Sequence, residues 1–410
     1  MSHLRIRAPG HQKVPRLTIE LARRLQRIRP SATVSITARA QRLREQGRDI
    51  IVLSVGEPDF ATPEHIKAAA VQALARNDTK YTAVDGSRAL KEAIVAKLSR
   101  DNRLAYSPEQ VLVSTGAKQS CYNACLALLD PGDEAIVVAP YWVSYPDMVR
   151  LAEAEPVIVQ TSAARDFKLT AQQLAAALTP RTRLLILNSP CNPTGAVYSA
   201  AEWHALGAVL REYPRVVVLS DEIYEHIQWV GVPFASFAAE CPQLYDRTLT
   251  VNGMSKGYAM SGWRIGYAAG PKELIKAMTS LQGQSTTNAC TISQAAAREA
   301  LVADQRCVQD MCAEFKRRHD LFFAGVQRLP GFDCVPAAGT FYLLPNVDGA
   351  LRALGIATDV ELCERLLDDA GVALVPGTAF GAPGHIRLSF AASMDTLDAA
   401  LARLGDFLRR

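Results

Sequence analysis

From about residue 64 to residue 268 the chain keeps one rhythm, and that rhythm restricts its fold more than any other feature. Helix-length segments (64–76, 87–100, 118–129, 171–177, 199–211) alternate with short β-branched or apolar runs at 111–114, 135–139, 157–160, 184–187, 216–220, 248–251 and 265–268. The runs are continuously apolar rather than alternating, so both faces of each strand are expected to be covered. Helices placed between such strands imply crossover connections and a parallel sheet. The expected fold class is α/β, with a large unit built on a mostly parallel seven-stranded sheet flanked by helices.

Outside that region the pattern changes. Segments 17–28 and 36–45 read as helices and 50–55 as a strand. A helical stretch over about 274–329 leads to strand-like runs at 332–335, 340–344, 373–375 and 385–389, with helices at 360–369 and 394–408. This is the pattern of a smaller α+β unit. The expected organisation is a poorly ordered extension (1–15), an arm and part of the small unit (16–60), a large unit (61–305) and a small C-terminal unit (306–410).

Composition excludes several functions. The 410 residues are 49% hydrophobic and 21% charged, with a net charge of +4, too small for a nucleic-acid footprint. No apolar run approaches the ~20 residues of a membrane helix. The nine cysteines include no C-x-x-C pair and the seven histidines no ligand spacing, so neither a disulfide framework nor a metal site is expected. Buried thiols in a reduced, cytoplasmic protein are the expectation. The N-terminal stretch carries Arg16, Arg23, Arg24, Arg27 and Arg29, with Glu20 its only acid before Glu45. It reads as an arm on the surface, with an organelle transit peptide as the alternative.

In open α/β sheets ligands gather at the carboxyl ends of strands. Those ends carry a particular series of groups here. Run 111–114 is followed by Gly116-Ala117-Lys118 entering a helix, where amides and the helix dipole suit a phosphate. Run 135–139 is followed by Trp142, which could lie on a flat ring. Run 184–187 is followed by Asn192 in a Pro-rich turn, and run 216–220 by Asp221 and Tyr224. Run 248–251 is followed by Ser255 and Lys256, with Arg264 eight positions further on. Each group alone has an ordinary explanation, such as a turn residue, a helix cap or a surface charge. Their recurrence at successive strand ends suits one ligand, pyridoxal 5′-phosphate (PLP): a flat ring with a phosphate, a basic nitrogen, a phenolic oxygen and an aldehyde.

The motifs GEPDF (56–60), TGAKQ (115–119), PYWVSYP (140–146), NSPCNPTG (188–195), SDEIYEH (220–226), SKGYAMSGWRIGY (255–267) and HIRLSF (385–390) resemble those of class I PLP-dependent aminotransferases of fold type I. The bacterial aspartate/prephenate aminotransferase branch is the most similar, from about Pro30 onward. The resemblance implies the PLP-transferase fold and a homodimer with shared active sites. It also implies transfer of an amino group between an L-amino acid, aspartate or glutamate, and a 2-oxo acid (2-oxoglutarate or oxaloacetate, with prephenate in some members). Carried over, Lys256 would form the Schiff base and shuttle the proton, and Asp221 would pair with the pyridine nitrogen. Asn192 and Tyr224 would meet the phenolic oxygen, and Trp142 would stack on the ring. Ser255, Arg264 and the amides of Gly116, Ala117 and Lys118 would bind phosphate, with Tyr81 reaching it from a partner subunit. Arg387 would clamp the substrate α-carboxylate beside Gly56. Lys118 and Thr33 would reach a dicarboxylate's distal group, and Thr82 and Lys168 resemble positions linked with prephenate.

Three other readings remain. Gly253-Met254-Ser255-Lys256-Gly257 matches the G-x-S-x-G elbow of serine hydrolases, with Ser255 as nucleophile and Asp368 or Asp369 and His385 as partners. That reading leaves Asn192, Asp221, Lys256 and Arg264 unexplained. A PLP-sensing regulator would carry an extra DNA-binding domain, for which some 30 residues before the motifs are too few. An aromatic or neutral aminotransferase, or a PLP-dependent β-lyase, would use the same lysine.

Overall fold

The computed structural model describes residues 19–28 and 32–409. Its strands, in chain order, are β1 (Ile51–Val52), β2 (Val111–Ser114), β3 (Glu134–Ala139), β4 (Glu155–Gln160), β5 (Thr182–Asn188), β6 (Val217–Asp221), β7 (Thr248–Gly253), β8 (Gly266–Ala269), β9 (Tyr342–Leu343), β10 (Val372–Ala373), β11 (Val375–Pro376) and β12 (Ile386–Ser389). Seven of them form one sheet in the order β2-β8-β7-β6-β5-β3-β4. Every neighbouring pair is parallel except those of β8, which runs against both β2 and β7. The carboxyl ends of six strands and the amino end of β8 therefore share one edge.

Alternate strand residues fall into separate cores, which shows that both faces are covered. Ala135 and Val137 pack with Leu184, Leu219 and Val251 against helices Ala117–Leu128 and Lys272–Gly283. Ile136, Leu185 and Val218 point the other way, toward Trp203 and Leu206 of helix Ala200–Leu210. Fully burying each valine, leucine or isoleucine among them contributes about 1.5–3 kcal/mol. Local signals start the helices: Ser199 and Glu202 form a capping box at Ala200–Leu210, and the Ser87 hydroxyl accepts from Leu90 N at Arg88–Asn102.

The remaining strands form two small sheets, β11-β12-β9 and β1-β10, the latter pairing Ile51 with Val372 in parallel. Their core gathers Phe315, Phe322, Phe341, Leu362, Leu388 and Leu404 from helices Arg306–Val326, Asp359–Asp369 and Met394–Leu408 and the strands between them.

The structure departs from the sequence expectations at several elements. Segment 17–28 contributes a 3₁₀ turn, Arg23–Arg27, rather than a helix. The stretch 274–329 is three helices, Lys272–Gly283, Thr291–Val302 and Arg306–Val326. Run 332–335 is not a strand; only Asp333 bridges, to Asn346. Run 373–375 is divided between β10 and β11, which belong to different sheets. Helices Tyr145–Leu151 and Asp348–Leu354 were not foreseen. Residues 1–15 lie outside the described residues.

Candidate active site

The shared edge forms one wall of a cavity of about 300 Å³. β6 ends in Asp221, paired across the sheet with Asn188 at the end of β5, and the turn beyond β5 carries Asn192. The segment after β7 supplies Ser255 and Lys256, and the loop after β3 supplies Trp142 and Tyr145. Because β8 runs backwards, its amino end returns Arg264 to the same edge, in the left-handed region at φ 51°. The opposite wall comes from the small sheet: Tyr342 of β9 and Arg387 of β12, with Gly56 from the loop after β1.

Lys256 lies half-buried in the cavity and donates from Nζ to Gly56 O. Burial, helped by the Arg387 charge, lowers its amine to about 8, although Glu57 and Asp221 pull the other way. Asp221 is 4% exposed. Its Oδ2 accepts from Tyr145 Oη at 2.6 Å and its Oδ1 from Ile223 N at 3.2 Å. Burial outweighs these donors and pushes the carboxyl up to about 6.

Arg387 is buried beside them. Nη2 donates to Ser54 O at 2.7 Å and Nη1 to Asn192 Oδ1 at 3.0 Å. Its Nε is buried without an acceptor. Asn188 organises the neighbouring turn: its Oδ1 accepts from Asn192 N and its Nδ2 donates to Asp221 O, each at 2.9 Å. Tyr224 Oη lies 2.9 Å from Tyr342 Oη, and burial, with Tyr342 adding to it, holds its phenol well above the ordinary value.

The start of helix Ala117–Leu128 is built for close approach. Gly116, at φ 83°, precedes it, and a Cβ there would lie 2.6 Å from Arg264 Nη2. A Cβ on Gly266 would lie 2.5 Å from Ala117 N. Two glycines thus let a guanidinium, a strand and a helix start meet at one point. Lys118 Nζ stands 4.8 Å above the Trp142 ring, and burial and Arg264 lower its basicity.

The cavity therefore brings together Gly56, Ala117, Lys118, Trp142, Asn192, Asp221, Tyr224, Ser255, Lys256, Arg264 and Arg387 from the sequence reading, and Gly116 adjoins it. It does not include Tyr81, which is 89% exposed. Thr82 and Lys168 also lie elsewhere; Lys168 is paired with Glu202 at 2.9 Å. The Thr33 side chain lies outside the described residues. Tyr145, Asn188 and Tyr342 also line the cavity, and the sequence reading gave none of them a role. The hydrolase alternative loses its partners, since Asp368 pairs with Arg39 and His385 packs edge-on to Phe167; neither they nor Asp369 lines the cavity with Ser255.

An amine of lowered basicity facing a buried carboxylate, at the carboxyl edge of a mostly parallel seven-stranded sheet, defines a PLP-dependent enzyme of fold type I. The particular family follows from comparison. The family model for aminotransferase class I and II matches residues 48–404, and the chain belongs to that family. It is 47% identical over 396 residues to an aspartate/prephenate aminotransferase of Nitrosomonas europaea, covering 95% of this chain and all of that protein. Among solved structures it resembles an aspartate aminotransferase of Rhizobium meliloti (TM-score 0.93, 47% identity, 96% of this chain and 100% of that one). It also resembles the Thermus thermophilus aspartate aminotransferase with maleate (TM-score 0.89, 46% identity, 95% and 100%). The protein is a PLP-dependent aminotransferase acting on amino and 2-oxo acids. No helix among the described residues is long and apolar enough to cross a membrane.

Proposed function

We propose that this enzyme moves the amino group of aspartate or glutamate to 2-oxoglutarate or oxaloacetate, with prephenate as a further acceptor. The observation that carries the reading is the facing set of Lys256, Asp221 and Arg387 in one cavity. The two-glycine cradle at Gly116 and Gly266 fits a phosphate held by the amides of Gly116, Ala117 and Lys118 together with Ser255 and Arg264. Trp142 would stack on the ring, and Tyr224 and the Asn192 amide would donate to the phenolic oxygen. Asn192 already uses its Oδ1 for Arg387, which leaves its Nδ2 as the donor. Bound there, PLP supplies an aldehyde for amine exchange and a ring that accepts electrons.

The chain's own groups do the rest. Lys256 Nζ, lowered to about 8, can take the proton from the substrate α-carbon near neutral pH and return it. The Asp221 carboxylate, once beside a cationic ring nitrogen, is favoured in its ionised form and holds the proton there. Arg387 offers a fork to the α-carboxylate, and its unpartnered Nε gains an acceptor. The dicarboxylate preference is supported by Lys118 at the cavity and by the relatives' names; prephenate use rests on those names alone.

We read the protein as a cytoplasmic homodimer with Tyr81 completing the second protomer's phosphate site. Its units are the arm and part of the small unit (16–60), the large unit (61–305) and the small unit (306–410). Lys256→Ala tests the function. The purified parent should absorb in the visible range and trap PLP on Lys256 with borohydride. The variant should give no borohydride-trapped adduct, even with PLP bound noncovalently, and lose turnover with aspartate and 2-oxoglutarate; normal turnover would remove Lys256 from its role. Release of pyruvate, ammonia and the thiol from an S-substituted cysteine, with no amino group passed to 2-oxoglutarate, would favour the β-lyase.

A further inference from the structure

Tyr342 is a buried phenol in the cavity wall to which the reaction above gives no part. It lies on β9 opposite Ser389 of β12, two residues along that strand from Arg387. Its side chain has no exposure. Three groups the reaction uses converge on it. Its hydroxyl is 2.9 Å from that of Tyr224. Its ring centroid is 4.3 Å from the Arg387 guanidinium carbon. A Cβ on Gly56 would lie 2.6 Å from its Oη, so the loop that receives the Lys256 amine can pass only as glycine while this phenol is present.

The two hydroxyls hold two protons, and their contact uses one. If Tyr342 donates, Tyr224 keeps its own proton for the cavity; if Tyr224 donates, it has none to offer there. The charged groups facing the pair are Arg387 and Glu57 toward Tyr342, and Arg387, Asp221 and Lys256 toward Tyr224. Arg387 acts on both phenols, but of the two it stacks on the Tyr342 ring, at 4.3 Å, closer than Lys256 stands to the Tyr224 ring at 5.7 Å. The nearer cation favours loss of the Tyr342 proton and makes that phenol the readier donor.

We propose that Tyr342 is a positioning residue joining the two halves of the site: its hydroxyl donates to Tyr224 and turns the Tyr224 proton toward the cavity, and its ring seats the Arg387 fork. This rests on the roles given to Tyr224 and Arg387 under the proposed function. One side chain then sets both the proton direction at the cofactor's phenolic oxygen and the geometry of the carboxylate clamp.

Two variants separate the two contributions. Y342F removes only the hydroxyl, and Y342L removes the ring as well. The readouts, on holoenzyme, are the pH titration of the visible absorption of the Lys256–cofactor chromophore and the calorimetric affinity for maleate, an unreactive dicarboxylate. A hydroxyl that receives a hydrogen bond is itself a stronger donor, so loss of the Tyr342 hydroxyl weakens the Tyr224 donation to the phenolic oxygen. A donor there favours the charged form, so its weakening raises the titration midpoint. Y342F is expected to raise it by about half a unit while maleate affinity stays within about twofold. Y342L is expected to raise it similarly and to weaken maleate by about tenfold. A Y342F titration superimposable on the parent's overturns the proposal, and so does a Y342L protein that binds maleate as tightly as the parent. Y342F keeps the ring and its packing, so its arm does not depend on the leucine variant folding. Lack of any chromophore in the parent overturns the functional reading itself, before a variant is compared.

Discussion

Arg387 reaches the cavity already oriented, with Nη2 on Ser54 O, Nη1 on Asn192 Oδ1 and its plane against the rings of Tyr342 and Phe380. Arg387→Lys keeps the charge and loses the fork, the stacking and the reach to both acceptors. Hydrogen bonds to charged groups contribute about 1.5–3 kcal/mol each, so kcat/KM for aspartate should fall roughly 10–100-fold with the cofactor spectrum retained. Steady-state kinetics beside an absorption scan would check this, and unchanged kinetics would take Arg387 out of the site. At this scale the sequence disclosed residues whose type is unusual where they stand. Lys256, Asp221 and Arg264, a lysine, an aspartate and an arginine beside strand ends, have chemistry beyond packing, and the structure brings all three to one cavity. Tyr145 and Tyr342 were not disclosed, because a buried phenol and a core aromatic look alike until the hydroxyl's partner is known. For Tyr145 that partner is Asp221, 76 residues away.

Among the elements, the turn after β6 carries a second acid next to Asp221. Glu222 turns into the protein, where its Oε1 accepts from Ser220 Oγ and Ser236 Oγ at 2.9 Å and from Phe237 N at 3.1 Å, tying the strand end to helix Phe237–Glu240. Burial, with repulsion from Glu225, still pushes it up to about 8. Its ordinary value is 4.5, so between 4.5 and about 8 the folded chain holds a proton that the unfolded chain has released. Stability from this group is then complete below 4.5 and is lost as pH rises through about 8. The amount is on the order of a few kcal/mol. Glu222→Gln removes the titration and keeps an acceptor, so its Tm should fall less than the parent's between pH 6 and 9. Equal slopes in thermal scans would contradict the assignment. Glu225, the next acid in the same turn, behaves oppositely: against its burial, Lys97, His226 and Asn102 hold it down to about 2, so its contribution is lost as pH falls from 4.5 through about 2.

Strands of the large sheet were legible for a related reason: being covered on both faces, they are continuous apolar runs, and observed and expected bounds differ by two residues at most. Short strands lack that signature. β10 and β11, with two residues each, are separated only by Leu374 and enter different sheets, a division made by their partners Ile51 and Arg387 rather than by their own sequence.

On the scale of the whole molecule, one chain leaves chemistry unused. Tyr81 is 89% exposed, Val71 and Leu74 on the nearby helix Glu64–Ala75 are more than half exposed, and Arg264 is exposed at the edge of the cavity. A dimer in which each protomer's Tyr81 reaches the other's phosphate site would cover such groups and complete both cavities, and light scattering should then give twice the 44.5 kDa chain mass. Complementation tests the sharing directly. Lys256→Ala lacks the amine and keeps Tyr81; Tyr81→Ala keeps the amine and lacks the phenol. If Tyr81 serves its own site, no pairing of these chains restores a complete site, and the mixture is no more active than its components. If it serves the partner's, each mixed dimer contains one site with both groups. Random re-pairing of equal amounts makes half the dimers mixed, so about a quarter of all sites become native. Unfolding and refolding the two variants together with PLP should therefore recover about a quarter of parental activity, while each variant refolded alone stays low. Recovery no greater than the average of the separate proteins would place Tyr81 outside the partner's site.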